Sequence, residues 1–231
     1  MHPKTLDKHW CEFLKDEFDK PYFKHIIQCY KHAQANNHII FPPKNSIFQA
    51  FNLTPLDSIR VVILGQDPYH GSCIINNIEV PQAMGLSFSV PKAVPIPPSL
   101  KNIYKEITQS LGIVMPNHGD LSDWAKKGVL LLNAIFTVQK GRAGSHRDFG
   151  WEQFSDCVIA RISETLEDIV FMLWGNFAKK KISLIDTHKH IVLSAPHPSP
   201  LAQGFVGSNI FKKANEELIK RGKQPFDWSL S

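Results

Sequence analysis

Cysteine is scarce in this chain of 231 residues, and the few cysteines are widely spaced. Cys11, Cys29, Cys73 and Cys157 form no C-x-x-C pair. Disulfide frameworks, zinc knuckles and iron–sulfur clusters need paired or closely spaced cysteines, so the pattern argues against all three. The chain is therefore predicted to be a reduced, cytosolic-type protein.

Long apolar runs and repeats are missing as well. No run approaches the roughly 20 residues that a membrane span needs. The first residues mix both charge signs with apolar residues at helical spacing, unlike a signal or transit peptide. We therefore expect a cytoplasmic protein that does not enter a membrane. Because no repeat, heptad or low-complexity stretch is present, we also expect a monomer with a single domain over residues 1–231.

Net charge is modest, at +5, but it is unevenly distributed. Residues 171–231 hold 9 of the 26 Lys and Arg residues and only 4 of the 21 Asp and Glu residues, which accounts for the whole positive excess. A polyanion would therefore meet the last quarter of the chain first. A solvated basic face with no partner explains the charge alone equally well.

Four short runs have the composition of strands that are covered on both faces, because they are almost entirely apolar. They are Arg60–Leu64, Val129–Leu132, Ile169–Trp174 and His190–Ser194. Helical periodicity lies between and after them, at Leu100–Leu111, Trp151–Leu166, Phe177–Ile185 and Asn209–Lys220. Strands that alternate with helices pair in parallel through right-handed crossovers. We therefore predict an α/β fold, a three-layer α/β/α sandwich around a central four-stranded parallel sheet, with the sheet core in residues 60–231 and extra helices in residues 1–50.

The residues that follow these strands are the candidates for a functional site, since ligands of open parallel sheets bind beyond the carboxyl ends of the strands. The first strand is followed by Gly65-Gln66-Asp67-Pro68-Tyr69-His70, the second by Asn133, the third by Gly175-Asn176 and the fourth by Pro196-His197-Pro198-Ser199-Pro200-Leu201. All four ends are expected to face one pocket.

Several of these segments resemble the signature segments of the family 1 uracil-DNA glycosylases. The resemblance is carried by Gly65 to His70, Gly85 to Val90, Leu130 to Asn133 and His197 to Leu201, and it runs in order from about residue 45 to the C-terminus. It implies a DNA repair hydrolase that flips uracil out of DNA and cleaves its N-glycosidic bond, with no metal or cofactor, leaving an abasic site. It also implies uracil-containing DNA, single- or double-stranded, as the substrate and a DNA-mimicking inhibitor protein as a candidate partner.

Two residues fit the charges that develop when an N-glycosidic bond breaks. Positive charge grows on the sugar and negative charge on the departing base, so a catalyst needs an anion near C1′ and a donor at a uracil carbonyl. Asp67 would supply the anion and hold the attacking water, while His197 would donate to O2; the resemblance implies that its imidazole is neutral. The alternatives are a turn or helix cap for the aspartate, and for the histidine a metal cluster with His188 and His190, where carboxylates are scarce.

Base recognition is assigned to four further residues. Tyr69 would exclude the methyl group of thymine, Asn133 would pair with N3–H and O4 of uracil, and Phe88 would stack on the base. Gln66 completes the substrate-binding set. Taken singly, three of them have ordinary alternatives: Tyr69 as a packed surface ring, Asn133 as a strand-end cap and Phe88 as a core residue.

Contacts to DNA outside the pocket are expected from the surrounding loops. Leu201 matches the apolar residue that wedges into the vacated stack when a base is flipped. Phosphate contacts are assigned to Pro97, Pro98, Ser99, Gly175, Asn176 and Ser199. Ser99 is also expected to be the N-cap of the helix over Leu100–Leu111. Because backbone contacts position DNA without reading its bases, the neighbouring sequence should be tolerated.

Three segments depart from the family pattern. Gly71 to Met84 is several residues longer than in many members and is expected to take another path over the pocket rim. Asn176 stands where the pattern usually has a serine, and Ala202 likewise follows Leu201 in place of a serine. We expect weaker phosphate binding in the last loop, offset in part by the basic C-terminal quarter.

Two other classes of function compete with a glycosylase. A DNA-binding or processivity subunit that has lost the chemistry should have replaced Asp67 or His197, and this chain retains both. A metal-dependent phosphate-ester or nucleoside hydrolase would lose its activity in EDTA. The matched catalytic segments contain no lysine, so strand cleavage through a Schiff base is not expected.

Overall fold

A computed structural model describes residues 5–230 of the chain. Its helices are α1 (Lys8–Phe13), α2 (Pro21–Ala35), α3 (Gln49–Leu53), α4 (Pro98–Leu111), α5 (Ser122–Lys126), α6 (Trp151–Thr165), α7 (Gly175–Lys179) and α8 (Ile210–Lys220). Its strands are β1 (Ile40–Phe41), β2 (Val61–Gly65), β3 (Ser72–Ile75), β4 (Ile78–Pro81), β5 (Val129–Asn133), β6 (Val138–Gln139), β7 (Val170–Trp174) and β8 (Ile191–Ala195). Short 3-10 helices lie at Lys15–Glu17, Lys44–Ser46, Leu56–Ser58, Arg147–Phe149 and Lys180–Leu184.

The central sheet has the strand order β5-β2-β7-β8, and every neighbouring pair is parallel. Strands β2 and β7 are buried along their whole length. Helices cover the sheet, with α4 packed on α8 and α2 packed on α6. The predicted sandwich around four parallel strands is therefore confirmed, and each strand begins and ends within one residue of the predicted run.

One continuous apolar core joins the N-terminal helices to the sheet, from Leu6 to Trp228. Aromatic rings make the connection. Phe23 of α2 meets Trp151 of α6 edge-on, with 6.5 Å between ring centroids, and Trp151 stacks on Phe136 at 4.9 Å. The N-terminal helices thus share the core of the sheet. No helix among residues 5–230 is long and apolar enough to cross a membrane.

The predicted secondary structure is wrong in detail at two places. Residues 1–50 contain helices as expected, but they also contain β1, which pairs antiparallel with β6 so that Phe41 lies opposite Val138. A two-residue strand is too short to show a period of two, which explains why the sequence does not reveal it. The helix expected at Phe177–Ile185 begins earlier, at Gly175, and continues as a 3-10 helix after Lys179.

The long segment between Gly71 and Met84 is a β-hairpin, formed by β3 and β4. Its two turn residues, Asn76 and Asn77, have φ angles of 50° and 63°. Asparagine tolerates this left-handed conformation, and two such residues make the tight turn that matches the twist of a hairpin. Asn-Asn between β-branched residues is a hairpin signal that was present in the sequence.

Candidate active site

Asp67 and His197 open into the same cavity, at the carboxyl edge of the central sheet. The cavity has a volume of about 240 Å³. The residues assigned to catalysis and base recognition all line it: Gln66, Asp67, Tyr69, Phe88, Asn133 and His197. Ser99 and His70 line the cavity as well, and His70 had no role predicted from the sequence. Three of the four strand ends therefore meet here, and Gly175, at the fourth, touches His197 from the side.

The loops after β2 and β5 are tied together, which fixes the base of the cavity. The two strands pair up to Gly65 and Asn133. Beyond them, the backbone N–H of Ala134 donates to the carbonyl of Gly65 at 3.0 Å, and that of Ile135 donates to the carbonyl of Gln66 at 2.9 Å. The backbone that carries Asp67 is held before any ligand binds.

The Asp67 carboxylate is oriented by a backbone donor far away in the sequence. The N–H of Gly144 donates to Oδ2 of Asp67 at 3.0 Å. Since that bond holds one carboxylate oxygen, Oδ1 is the oxygen left to face a ligand. This contact cannot be predicted from residue types, because every residue except proline has a backbone N–H.

The loop that carries Gly144 is braced by a buried histidine. Nδ1 of His146 lies 2.9 Å from Oγ1 of Thr137, which also accepts the indole N–H of Trp151 at 2.8 Å. The imidazole stacks on Phe149 with 4.0 Å between centroids. Burial, together with the nearby His38, lowers the pKa of His146 to about 4. The ring is therefore neutral at physiological pH and acts as a structural brace behind Asp67.

The brace predicts a specific loss of stability in acid. Unfolded His146 takes up a proton near its ordinary pKa of about 6.5, whereas the folded ring resists protonation down to about 4. The unfolded state therefore binds more protons in this window, so the free energy of unfolding should fall by about 2 kcal/mol between pH 7 and pH 4.5 through this residue alone.

Urea unfolding at the two pH values would test this with His146→Gln, which keeps a polar side chain and removes the titration. The gap in unfolding free energy between the wild type and this variant should shrink by that amount in acid. His188→Gln, at an exposed position, is the matched control. It should change the free energy of unfolding by the same amount at both pH values. A constant gap for His146→Gln would contradict the assignment.

His197 is held as a neutral hydrogen-bond donor. The backbone N–H of Ser199 donates to Nδ1 of His197 at 3.0 Å. Because a backbone N–H can only donate, Nδ1 carries no proton, and the hydrogen of the neutral ring sits on Nε2. Burial lowers the pKa of His197, which favours the same neutral state.

Glycine is required at position 175 by both conformation and contact. Its φ is +80°, and a Cβ there would lie 2.9 Å from Cβ of His197. A side chain would strain the backbone and push the imidazole out of place. Gly175 therefore supports His197 directly, while the exposed Asn176 follows it at the start of α7.

Phe88 is held in an unusual backbone conformation beside the histidine. Its φ is +62°, which non-glycine residues rarely adopt. The two neighbouring serines, both fully buried, anchor it: Ser87 N–H donates to the carbonyl of Leu131 at 3.0 Å, and Oγ of Ser89 accepts from the N–H of Leu121 at 2.9 Å. The Phe88 ring lies 6.0 Å from the imidazole of His197, so it presents a fixed apolar wall to the cavity.

The Asn133 amide lies against a residue that has to be glycine. A Cβ at Gly65 would lie 2.4 Å from Oδ1 of Asn133. Tyr69 lies on the cavity wall as well, and its hydroxyl is 3.5 Å from the carbonyl of Phe88. Burial raises the pKa of the Tyr69 phenol, so the ring is neutral. The amide of Asn133 and the phenol of Tyr69 thus both line the cavity.

The residues assigned to DNA phosphates lie outside the wall of the cavity, with the exception of Ser99. Helix α4 begins at Pro98 and has no side-chain cap, so the prediction of Ser99 as N-cap is wrong. Proline suits the first helical position because its φ is already fixed and its missing N–H would be unpaired there. Ser99 instead lies in the first turn, where it faces the cavity.

Leu201 is 97% exposed at the tip of the loop after β8. The loop is a compact turn with two hydrogen bonds to Ser199. The N–H of Leu201 donates to Oγ of Ser199 at 3.2 Å, and the N–H of Ala202 donates to the carbonyl of Ser199 at 3.0 Å. Exposing a leucine completely is unfavourable in water. Singly exposed apolar residues are common on protein surfaces, so the contact of Leu201 with DNA stays a prediction.

The histidines near β8 do not form a cluster. His190 is buried, and its ring nitrogens pair with the backbone N–H of Ile169 at 3.3 Å and the carbonyl of Ser163 at 2.9 Å. His188 is exposed. Within residues 5–230, no group of three or more His, Cys, Asp or Glu side chains is placed to hold a metal ion.

Fold and site together define an α/β enzyme with a carboxylate and a neutral imidazole in one small cavity at the strand ends. Residues 51–219 match the family model of the uracil DNA glycosylase superfamily. The chain belongs to that superfamily.

Its relatives cover nearly the whole chain. A uracil-DNA glycosylase of Helicobacter hepaticus is 60% identical over 219 residues, covering 95% of this chain and 93% of the relative. One of Campylobacter fetus is 56% identical over 227 residues, covering 98% and 94%. Among solved structures, mimivirus uracil-DNA glycosylase is 32% identical with a TM-score of 0.92, covering 100% of this chain and 90% of that one. A mimivirus variant in complex with UGI has a TM-score of 0.92 at 33% identity, covering 100% and 92%.

Proposed function

We propose that this chain excises uracil from DNA: it flips the base into the cavity, hydrolyses the N-glycosidic bond and leaves an abasic site for base excision repair. The observation that carries the proposal is the meeting of Asp67 and a neutral His197 in one cavity. Uracil-DNA glycosylases more than 50% identical over almost the full length support the same reaction. Within the superfamily, we assign the chain to family 1, on the signature segments at the ends of β2, β5 and β8.

The chemistry follows from the two fixed groups. As the bond between C1′ and N1 breaks, its electron pair leaves with uracil, and the sugar becomes an oxocarbenium-like cation. Oδ1 of Asp67 stabilises that cation and accepts the proton of the water that attacks C1′. Nε2–H of His197 donates to O2 of the departing uracil anion. A donor that is already in place and aimed at the developing charge stabilises the transition state without reorganisation during the reaction.

The selection of uracil over other bases follows from the residues that line the cavity. Asn133 donates its amide N–H to O4 of uracil and accepts from N3–H, whereas cytosine presents a donor and an acceptor in the opposite places. Tyr69 fills the space beside C5, so that a thymine methyl group collides with the ring. Phe88 stacks on the base, and Gln66 closes the pocket beside Asp67.

DNA is held by the loops around the mouth. Leu201 enters the gap that the flipped base leaves, which offsets part of the cost of unstacking it. Backbone phosphates are bound by the proline-rich segment with Pro97, Pro98 and Ser99, by the turn with Gly175 and Asn176, and by Ser199. The basic excess of residues 171–231 adds a sequence-independent attraction.

A protein partner and a cellular location are further parts of the proposal. The mimivirus structure in complex with UGI supports a DNA-mimicking inhibitor protein as a partner of this chain. A cytoplasmic location, a monomeric state and a single domain over residues 1–231 stay predictions from the sequence.

Release of free uracil from a uracil-containing oligonucleotide, with and without EDTA, tests the proposed function. We expect release in both conditions, with an abasic strand as the other product. Binding without release would favour a DNA-binding subunit, and loss of release in EDTA would favour a metal-dependent hydrolase. A protein–DNA adduct trapped by borohydride would contradict a monofunctional enzyme.

A further inference from the structure

The hairpin β3–β4 grows directly out of the cavity rim. The residues just before and after it, His70 and Ala83, both line the cavity. Its base is closed by the N–H of Gln82, which donates to the carbonyl of Gly71 at 3.0 Å. Each strand has four residues, so the hairpin reaches about 13 Å from the rim. Four base-pair steps of DNA cover about the same distance.

The hairpin carries two largely exposed apolar side chains, Ile74 and Ile78, and three half-buried ones, Cys73, Ile75 and Val80. The register places Cys73 opposite Val80 and Ile75 opposite Ile78, so these four share one face. None of them belongs to the core formed by residues 5–230. Ile78 is 67% exposed, and Ile74, on the other face, is 70% exposed.

The hairpin is rigid and nearly uncharged. The left-handed pair Asn76 and Asn77 sets the turn, and Glu79 forms an ion pair with Lys140 and a hydrogen bond with Ser72. Glu79 is the hairpin's only charged residue, and Lys140 neutralises it. The surface therefore neither repels nor attracts a polyanion, and its amide and apolar groups are of the kind that touch deoxyribose, base edges and the thymine methyl group.

Resting on the proposed function, we infer that this hairpin is a second apolar contact to the DNA substrate, separate from Leu201. A base that enters the cavity while still attached to its strand places the flanking nucleotides across the rim from which the hairpin rises. Strands β2 and β8, which lead to the hairpin and to the Leu201 loop, are separated in the sheet by β7 alone, a distance of about 10 Å. The two apolar elements therefore hold neighbouring parts of the same DNA. A protein seated on the hairpin would block the mouth, so the occupant compatible with turnover is the substrate.

The double variant Ile74→Ser with Ile78→Ser tests the contact, since both side chains are exposed and their loss should leave the fold intact. We expect KM for a long uracil-containing duplex to rise by roughly fivefold or more, with kcat nearly unchanged. The flanking nucleotides of a uracil-containing trinucleotide lie at the rim, short of Ile74 and Ile78, which are about 10 Å further out near the hairpin tip, so its KM should not change. Ile74→Val with Ile78→Val should restore most of the affinity, because it keeps the apolar surface.

The matched control is Val114→Ser, which changes an exposed apolar residue remote from the cavity. Val114 lies beyond the far end of the 14-residue α4, about 20 Å from the end that holds Ser99. The control should leave KM unchanged. A second variant deletes residues 72–81 and joins Gly71 to Gln82, whose backbones already meet, and should raise KM at least as far.

Unchanged KM for the long duplex in both hairpin variants would overturn the inference while leaving uracil release by the wild type intact. Equal rises for duplex and trinucleotide would also overturn it, because they would mean a distorted cavity. If KM for the duplex is unchanged but an inhibitor protein no longer binds the variant, the hairpin is a protein-binding surface and not a DNA contact. Failure of the wild type to release uracil would instead contradict the proposed function.

Discussion

Asp67→Asn is expected to reduce kcat by roughly 10²- to 10⁴-fold, while the affinity for uracil-containing DNA changes little. Asparagine has the same shape, and its amide oxygen can still accept from the N–H of Gly144. The variant therefore keeps the loop and the cavity intact. It loses the negative charge that stabilises the cationic sugar and the base that takes a proton from water.

Single-turnover kinetics under saturating enzyme, together with equilibrium binding to a duplex, separate the two effects. Asp57→Asn removes the same charge from an exposed residue before β2, at the opposite edge of the sheet, and should leave kcat unchanged. Parallel loss of binding and turnover in Asp67→Asn would mean that the aspartate is structural, as a cap or turn residue would be.

Asn133→Asp is expected to change the base that is accepted. A carboxyl group can accept from the exocyclic amine of cytosine and, when protonated, donate to its N3, but it offers no matched donor to O4 of uracil while ionised. Each mispaired buried polar group costs about 1–3 kcal/mol, so the ratio of uracil to cytosine excision should fall by roughly 10²- to 10⁴-fold. Aspartate is the suitable replacement because the contact with Gly65 leaves no room for a larger side chain.

The measurement is kcat/KM on matched oligonucleotides with uracil, cytosine or thymine at one position. Thymine provides an internal control, since Tyr69 still occupies the space beside C5 and thymine should stay resistant. Asn117→Asp is a matched control for the added carboxyl group, because Asn117 is exposed and does not line the cavity. Cytosine left untouched by Asn133→Asp would remove Asn133 from the role of base reader.

The sheet was predictable because its strands are short apolar runs between amphipathic segments. A strand that is buried on both faces is almost entirely apolar, so its composition alone identifies it. Val61–Gly65 and Val170–Trp174 are examples. The convergence of Asp67, Asn133 and His197 on one cavity follows from the same pattern, since parallel strands carry their following residues to one edge. The assignment of chemistry to these residues additionally needed the resemblance of the signature segments.

Other features were open to misjudgement. Ser99 was expected to cap α4, but Pro98 can begin a helix without a cap, and the local sequence favours both readings. The pair Asn76-Asn77 is typical of a hairpin turn and could have predicted the β3–β4 hairpin. The prediction is weak because each strand has only four residues. Strand β1 carried none, since its partner β6 lies about a hundred residues away along the chain.

What the sequence by itself determined is the strand and helix order, the edge at which ligands bind and the residue types that meet there, because composition and periodicity are local properties of the chain. Only the tertiary structure decided that Gly144 orients Asp67, that His146 braces Gly144, and that Ser199 fixes the tautomer of His197. The first two contacts join segments far from Asp67 in sequence, and the third is a short-range bond whose geometry depends on the loop around it. Hydrogen bonds depend on distances of a few tenths of an ångström, which no residue pattern encodes until the chain has packed.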